Sequence, residues 1–582
     1  MFLPEQEFSF GASHESRRIW GFTDTSYRLR ADGQVEITGA RYPSSGHVLP
    51  DLLPWITEVM RIQPPKKQSS PAPPPSAQIA KRHFNDAFID QIQQILPPNH
   101  WSQDPEVCMR HGHGHSLEDM YKANYAGFTR IPDIVLYPDN ASQVSQIIAA
   151  AHKHQARLLP YGGGTNVNGG LSCSVDETRL IAAVSLRRMN QVLWVDKANR
   201  LAKIEAGAVG RHIVAALAKH GMTLGHEPDS IEFSTLGGWI ATKASGMKKN
   251  RYGNIEDILL QVEMATPCGV IGRFLQSIPP RESVGVDSAS LALGSEGNLG
   301  IITSAIVKIS PLPEHQIFGS LLFKTFANGM AFLYDLARNR EQPASVRLID
   351  NAQFQFGMAL KPRPAGFQSW KRKLTKAYVT KIRKFDPQMM TACTLVFEGS
   401  MKQIAKEQSA VYYLARKHGG LYAGAANGKQ GYELTFAIAY IRDFAMTIDI
   451  FAESFETSCT WTAAPELYQR VIDRVRREHL ARSLPGIPFL SARISQIYDT
   501  GVTIYFYLAI SVEGVTRPLE AYKALERAAR DEILSCGGAL SHHHGVGTLR
   551  SNFLPRIFST GSMECQNRLR SALDCRGVFS TQ

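Results

Sequence analysis

The sequence predicts an α+β protein of two principal domains, and three observations lead there. Its 582 residues exceed what one hydrophobic core organises, so two or three domains are expected. A helical stretch from Ala141 to about His154 precedes a strand, Ala156 to Pro160. That strand runs into the glycine-rich segment Pro160-Tyr161-Gly162-Gly163-Gly164-Thr165-Asn166-Val167-Asn168-Gly169-Gly170. From about residue 314 strands alternate with long helices, as in Thr394 to Glu398 and Gln403 to Lys417. This reads as an antiparallel sheet with helices beside it.

Taken in order, residues 1–125 form an N-terminal region. Mixed strand-like and polar pieces occupy it to about residue 60, and a helical, loop-rich stretch occupies 78–125. Between them residues 63–76 are proline-rich and read as a spacer. Residues 126–312 form the glycine-loop domain. It contains the strand Ile131 to Pro138, the helix, strand and loop above, and a strand within Asp196 to Gly207 that closes on a glycine turn. A second glycine block, Gly294-Ser295-Glu296-Gly297-Asn298-Leu299-Gly300, lies near its end. Residues 313–535 form a substrate or cap domain. Residues 536–582, carrying His542 to His544, are expected to fold back over the active site.

The composition, 44% hydrophobic and 20% charged, is that of an ordinary globular protein. No apolar run reaches the roughly 18 residues of a spanning helix, and the start Met1 to Gln6 lacks the basic and apolar regions of a secretory signal. None of the eight cysteines forms a C-x-x-C pair, so neither a zinc site nor a disulfide framework is predicted and free thiols are expected. The net charge of +12 is spread along the chain, with no recognisable nucleic-acid module. Anionic small molecules and a lipid surface are the partners it suggests.

Several residues bear chemistry. Three successive glycines leave backbone N–H groups uncovered and free to take positive φ, which suits a nest around phosphate oxygens. The segment is neither a Walker loop, since no Gly-Lys-Ser/Thr follows, nor the G-x-G-x-x-G fingerprint. Tyr505 and Tyr507 alternate within a strand and so share a face. A phenol, with a pKa of about 10, needs cationic neighbours to act as a base. The histidines and Arg442 are candidates. His542, His543 and His544 cannot all face one metal from a strand, and no H-E-x-x-H companion exists. Imidazoles that bond a phosphate or tune the tyrosine suit them better. Arg442 has the fork to hold a phosphate, and equally a local carboxylate, Asp443, to pair with. His111, His113 and His115 alternate with glycine and are expected in a loop near the site rather than around a metal. Pro362 to Lys376 mixes aromatic and basic residues, a composition that suits a lipid headgroup interface and equally a packed surface helix.

The glycine loop with its flanking helix and strands resembles the FAD-binding domain of the vanillyl-alcohol-oxidase superfamily. Further stretches narrow this: Gly225 to Trp239, Lys243 to Asp257, Pro343 to Leu348, Ala439 to Asp443, Glu453 to Ser458, and Ser541 to Gly547. From about His113 to about Arg550 the chain resembles the alkyldihydroxyacetonephosphate synthases, flavoenzymes that make the ether bond of ether lipids, plasmalogens included.

The resemblance implies noncovalent FAD. Pro160, Tyr161, Gly162, Gly163, Gly164, Thr165 and Asn166 would cradle the pyrophosphate. Further contacts would come from Asp229, Ser230, Ile231, Glu232, Phe233, Ser234 and Thr235, from Thr242, Lys243, Ala244 and Ser245, and from Glu296, Gly297, Asn298, Leu299, Gly300, Ile301 and Ile302. It implies Tyr505 as the residue exchanging a proton with the substrate carbon. His542, His543, His544, Arg347 and His226 are implied as further catalytic residues, and Arg442 as substrate-binding. Arg347 reads equally well as a structural brace. The implied transferase reaction replaces the acyl chain of an acyl-dihydroxyacetone phosphate by a long-chain fatty alcohol, through a flavin N5 adduct and without net redox change. An apolar tunnel lined by the cap domain should take the alkyl chain.

A homodimer, peripheral attachment to the inner face of a peroxisomal or glycosomal membrane, and dihydroxyacetone phosphate acyltransferase as partner are implied by the same resemblance; no nucleic acid is. The chain departs from the family at Val578 to Gln582, which is not a peroxisomal tripeptide, and Leu573 to Phe579 keeps only a trace of the family's active-region ending. The alternatives are an FAD-dependent oxidoreductase of the same superfamily acting on an alcohol or 2-hydroxy acid, and an inactive scaffold.

Overall fold

The computed structural model describes residues 15–16, 19–65, 82–273, 278–363 and 374–579. The N-terminal region carries strands in its first part and helices after residue 82. Strands β1 (Tyr27–Leu29), β2 (Val35–Ile37) and β3 (Val48–Leu49) make a small antiparallel sheet ahead of the helix Leu52–Met60. Alternation causes this, since Val35 and Ile37 are buried on either side of Glu36. Most of the proline-rich spacer, from residue 66 on, and the bulk of the aromatic–basic stretch, 364–373, lie outside the described residues.

The glycine-loop domain holds two sheets. Strands β4 (Trp101–Ser102), β5 (Ile134–Leu136), β6 (Arg157–Tyr161) and β7 (Ile181–Ser185) are ordered β4-β5-β7-β6, with β7 parallel to both β5 and β6. The crossover is the helix Ala141–His154, capped by the Asn140 side chain accepting the Gln143 N–H at 3.0 Å. Its buried Val144, Ile147, Ile148 and Ala151 recur at helical spacing and press on the sheet. The strand expected over Ile131 to Pro138 is shorter. Just before it Asp133 still donates its N–H to the Ile181 carbonyl, but its buried carboxylate, paired with Arg130 at 2.7 and 2.8 Å, accepts the Ile181 N–H in place of a backbone carbonyl.

The second sheet is antiparallel, ordered β12-β11-β13-β9-β8, from β8 (Val192–Asp196), β9 (Leu201–Glu205), β11 (Leu259–Thr266), β12 (Gly269–Ile271) and β13 (Ile301–Lys308). The stretch Asp196 to Gly207 therefore begins as the end of β8 and turns before β9. A Cβ at Gly207 would stand 1.8 Å from the Leu186 carbonyl, so only glycine closes this turn. A two-stranded ladder, β10 (Met222–Thr223) with β14 (Ser310–Pro311), ends the domain.

The cap is a seven-stranded antiparallel sheet ordered β18-β15-β17-β16-β20-β21-β19. Its strands are β15 (His315–Phe323), β16 (Ser345–Ile349), β17 (Thr391–Gly399), β18 (Leu421–Tyr422), β19 (Ile450–Thr460), β20 (Phe489–Ile497) and β21 (Gly501–Ser511). Alternation on β21 sends Ile504, Phe506 and Leu508 into the core and leaves Tyr505 and Tyr507 on the other face. The apolar face is covered by the long helices Ala464–Ala481 and Pro518–Ser535. The first buries Leu467, Val471 and Val475 at four-residue spacing. The polar face is left for the site.

Of residues 536–582, His543 and His544 reach that site, and the final described stretch lies elsewhere. The exposed helix Thr560–Leu573 leads to Asp574, whose carboxylate accepts the N–H groups of Val578 and Phe579, and the Leu158 N–H donates to the Val578 carbonyl at 2.7 Å. Val578 and Phe579 are thereby buried in the glycine-loop domain beside β6. No helix among the described residues is long and apolar enough to cross a membrane.

Candidate active site

A cavity of about 450 Å³ is walled by the glycine loops, the polar face of the cap sheet, the loop after His542 and the N-terminal region. The glycine loop makes its floor. The backbone N–H groups of Gly163, Gly164, Thr165 and Asn166 donate to no other described residue, so they stand free for an anion. A Cβ at Gly163 would lie 2.0 Å from the Phe233 carbonyl, and one at Gly162 would lie 2.6 Å from the Thr235 hydroxyl. The cradle thus exists only because these positions are glycine. Pro160, Tyr161, Gly162, Gly163, Gly164, Thr165, Asn166, Asp229, Ser230, Ser234, Thr235, Thr242, Ala244, Ser245, Glu296, Gly297, Gly300, Ile301 and Ile302 all line the cavity.

Six of the expected cofactor positions do not. Glu232 receives the Tyr42 hydroxyl at 2.8 Å, Phe233 packs on Trp20 and Phe22, and Ile231 fills the space against Gly210. Lys243 ends the helix Leu236–Thr242 in a left-handed conformation. Asn298 and Leu299 are likewise absent from the wall. Glu296 lines the cavity but spends its carboxylate elsewhere. It accepts the N–H groups of Val546 at 2.6 Å and Gly547 at 2.8 Å, latching the segment after the histidines onto the second glycine block.

On the sheet face, Tyr505 bonds the Ser454 hydroxyl at 2.7 Å and lies 5.5 Å from Tyr507, ring to ring. Burial raises the Tyr505 phenol above its ordinary value. The His543 ring stacks on it at 5.8 Å and the His544 ring meets it edge-on at 5.3 Å. Burial lowers all three histidines, His542 to about 3, so the triplet is neutral at pH 7. The histidines therefore do not supply the positive charge expected of them beside the tyrosine. His542 is turned out of the cavity, to the Tyr498 hydroxyl at 2.6 Å and to His543.

One carboxylate organises this triplet. Glu456 on β19 is fully buried and accepts the Ser541 hydroxyl at 2.7 Å and the backbone N–H groups of His542, His543 and His544 at 2.5, 3.4 and 2.9 Å. Burial opposes its charge, but the His543 and His544 rings beside it, and after them the buried Arg530 and His542, hold its carboxyl well below the usual range. Arg530 also donates to the carbonyls of Glu456 and Leu540.

Arg442 lines the cavity from the helix Ala439–Met446. It is held by the His115 carbonyl, by Glu453 at 3.3 Å and by Asp443 at 3.6 Å, so the local pairing anticipated for it is present. It does not reach Tyr505. Its Nε and Nη2 have no hydrogen-bond partner among the described residues. His115 stacks on Trp20 at 3.9 Å within the wall, while His111 packs on Tyr161 at 4.2 Å. Arg347 donates to Asp229 at 2.9 Å and to the Thr435 hydroxyl at 2.9 Å, and Arg493 donates to the other Asp229 oxygen at 3.0 Å. His226 is not in the wall. It packs edge-on against Trp239 at 4.9 Å, and burial lowers it to about 3.

An apolar arm leads from the polar end. Trp55, Ile56 and Met60 of the N-terminal helix line it with Phe356, Ile441 and Phe489. Trp55 lies 5.4 Å from Phe356 and 5.3 Å from Phe489, ring to ring. Sequence reasoning missed Arg493, Glu456, Glu453, Trp20 and Trp55. Alternation alone places Arg493 and Glu456 in strands, but the pairing register that brings them beside Tyr505 is a long-range property.

Residues 132–274 match the FAD binding domain family, and residues 312–581 match the C-terminal domain of FAD linked oxidases. The chain is 37% identical to an alkyldihydroxyacetonephosphate synthase of Caenorhabditis elegans, over 97% of this chain and 94% of the relative. It is 29% identical to the protein of that name from Dictyostelium discoideum, over 96% and 91%. A solved structure of an alkyldihydroxyacetonephosphate synthase superposes with a TM-score of 0.83 at 26% identity, covering 97% of this chain and 98% of that one.

Proposed function

The chain belongs to the alkyldihydroxyacetonephosphate synthase family, and from that premise we propose that it exchanges the acyl chain of an acyl-dihydroxyacetone phosphate for a long-chain fatty alcohol. It is an FAD-dependent transferase of ether lipid synthesis. One observation carries the reading: a single cavity joins a glycine cradle, a buried tyrosine and an apolar arm. The reaction needs those three things together.

The cradle suits FAD, because Gly162 and Gly163 pack flush against the segment Phe233 to Thr235 and the loop's free N–H groups make a nest for a pyrophosphate. Bound there, FAD would supply a ring that accepts and then returns an electron pair at the carbon beside the ketone, so that the carboxylate can leave without net redox change. The protein's residues do the rest. Tyr505 holds and moves the proton at that carbon. Arg442, at the cavity wall, is the guanidinium that takes the phosphate. Arg347 orients Asp229 at the polar end, and Glu456 fixes His543 and His544 against the tyrosine. The apolar arm takes the alkyl and acyl chains and keeps water from competing with the alcohol.

Family likeness also supports a homodimer, peripheral attachment inside a peroxisome or glycosome, and a dihydroxyacetone phosphate acyltransferase as the neighbour that makes the substrate.

The test is purified protein with palmitoyl-dihydroxyacetone phosphate and labelled hexadecanol, beside Tyr505→Phe. Label in the ether product, lost in a variant that keeps FAD, upholds the reading. Oxygen consumption with an alcohol or 2-hydroxy acid would move it to an oxidoreductase. A flavoprotein inert in both assays would be a scaffold.

A further inference from the structure

Resting on the synthase reading, we propose that Arg493 is a positioning residue that sets the acidity of Tyr505, the fixed cation against which this phenol gives up and regains its proton. None of the stretches that carry the family resemblance includes it.

The register of the cap sheet carries the argument. Tyr505 on β21 stands directly across from Arg493 on β20 and from Glu456 on β19. Residues directly opposite in an antiparallel pair share a face and touch. The Arg493 guanidinium carbon lies 4.4 Å from the Tyr505 ring centroid and 5.4 Å from that of Tyr507. Arg493 is 6% exposed and lines the cavity. Its position is fixed from behind, since Asp229 accepts Arg493 on one oxygen and Arg347 on the other. Two guanidinium groups on one carboxylate leave a net positive charge beside the tyrosine.

The other groups around Tyr505 do not supply that charge. Tyr507 on the same strand and Asp229 on the loop both disfavour a phenolate. Ser454 on β19 offers a neutral hydroxyl at 2.7 Å. Glu456 is negative and engaged by the loop donors. His543 and His544 are held neutral by burial. Arg442 is turned to the His115 carbonyl and Glu453. A cation over a ring already favours the neutral phenol, and favours the anion more. The proton balance is closed: the phenolate takes one proton from the carbon beside the ketone and returns one to that carbon once the ether bond is made, and the alcohol's own proton leaves with the released fatty acid.

The experiment is the pH profile of kcat for wild type, Arg493→Gln, Arg493→Met and Arg493→Lys, with FAD content and KM for palmitoyl-dihydroxyacetone phosphate measured on each. Ether product from wild type tests the synthase reading by itself. Loss of a neighbouring charge displaces a partner's pKa by about 1–3 units. In the neutral variants the rising limb should therefore move to higher pH by about one unit or more, and the rate at pH 7 should fall about tenfold or more. FAD content should be kept. Arg493→Lys should bring the limb back toward wild type. Methionine keeps the packing of the side-chain stem, so it serves if the glutamine variant does not hold FAD. A limb that stays in place in a neutral variant, or a lysine variant displaced as far as the neutral ones, overturns the proposal.

Discussion

The carboxylate of Glu456 accepts the backbone N–H of His544 at 2.9 Å, from the strand position directly across from Tyr505. One buried charge thus orders the histidine loop and faces the same ring that the loop covers. Glu456→Gln keeps the shape but sets an amide NH2 against donors that need an acceptor. Breaking a buried charged network on one side costs about 3–5 kcal/mol. The variant should unfold at lower temperature and lose activity by about a hundredfold, with Tyr505 untouched. Calorimetry and the exchange assay check this. Wild-type stability and rate in the variant would remove the organising role.

Gly163→Ala tests the cradle. The added methyl would meet the Phe233 carbonyl at 2.0 Å, and backbone rather than a flexible side chain would have to move. Overpacking of this kind costs about 1–3 kcal/mol. The loop's free N–H groups would shift with it, so flavin content after purification should fall by about tenfold or more. Full flavin occupancy in the variant would mean the pyrophosphate is held elsewhere.

The contrast between Tyr505 and Arg493 shows what sequence reveals here. Tyr505 and Tyr507 share a face by local alternation, and the glycine cradle is contiguous in sequence, so both are legible. Arg493 lies in an equally regular strand, but its meeting with Tyr505 depends on a register that includes an irregularity between Ile494 and Gln496. Trp20 and Trp55 join the wall from the far end of the chain. Family likeness makes the whole run Asp229 to Thr235 cofactor-facing. A backbone segment cannot turn every side chain to one side, and Ile231, Glu232 and Phe233 point away. The charge expected from the histidines is absent for a reason no motif reveals, namely that the loop which brings them together also buries them.

That burial has a consequence for pH. His111, His226 and His542 are each lowered to about 3, chiefly by burial. Unfolded, a histidine titrates at about 6.5. Between these values the unfolded chain binds more protons than the folded one. The stability these groups confer is complete above about 6.5 and is lost as pH falls toward 3, at about 1.4 kcal/mol per histidine per pH unit. Thermal denaturation between pH 8 and pH 5 should show a plateau at the alkaline end and a decline below about 6.5. Changing His226 to Gln should flatten that decline. A stability that holds level to pH 5 would place a proton on these rings in the folded state.

Trp55 decides whether the N-terminal helix belongs to the substrate site. Its indole packs on Phe356 and Phe489 where all three line the apolar arm, and it arrives from outside both matched FAD-family domains, at residues 132–274 and 312–581. Each methylene buried against such a wall contributes about 0.8 kcal/mol. An alcohol long enough to reach Trp55 therefore loses several such contacts in Trp55→Ala, and one too short to reach it loses none. The KM for hexadecanol should rise by about tenfold while that for octanol stays within about twofold, and FAD content should be unchanged. Equal effects on both alcohols would mean that the indole braces the fold rather than the chain. A raised KM for octanol alone would place the short alcohol against the indole and reverse the assigned direction of the arm.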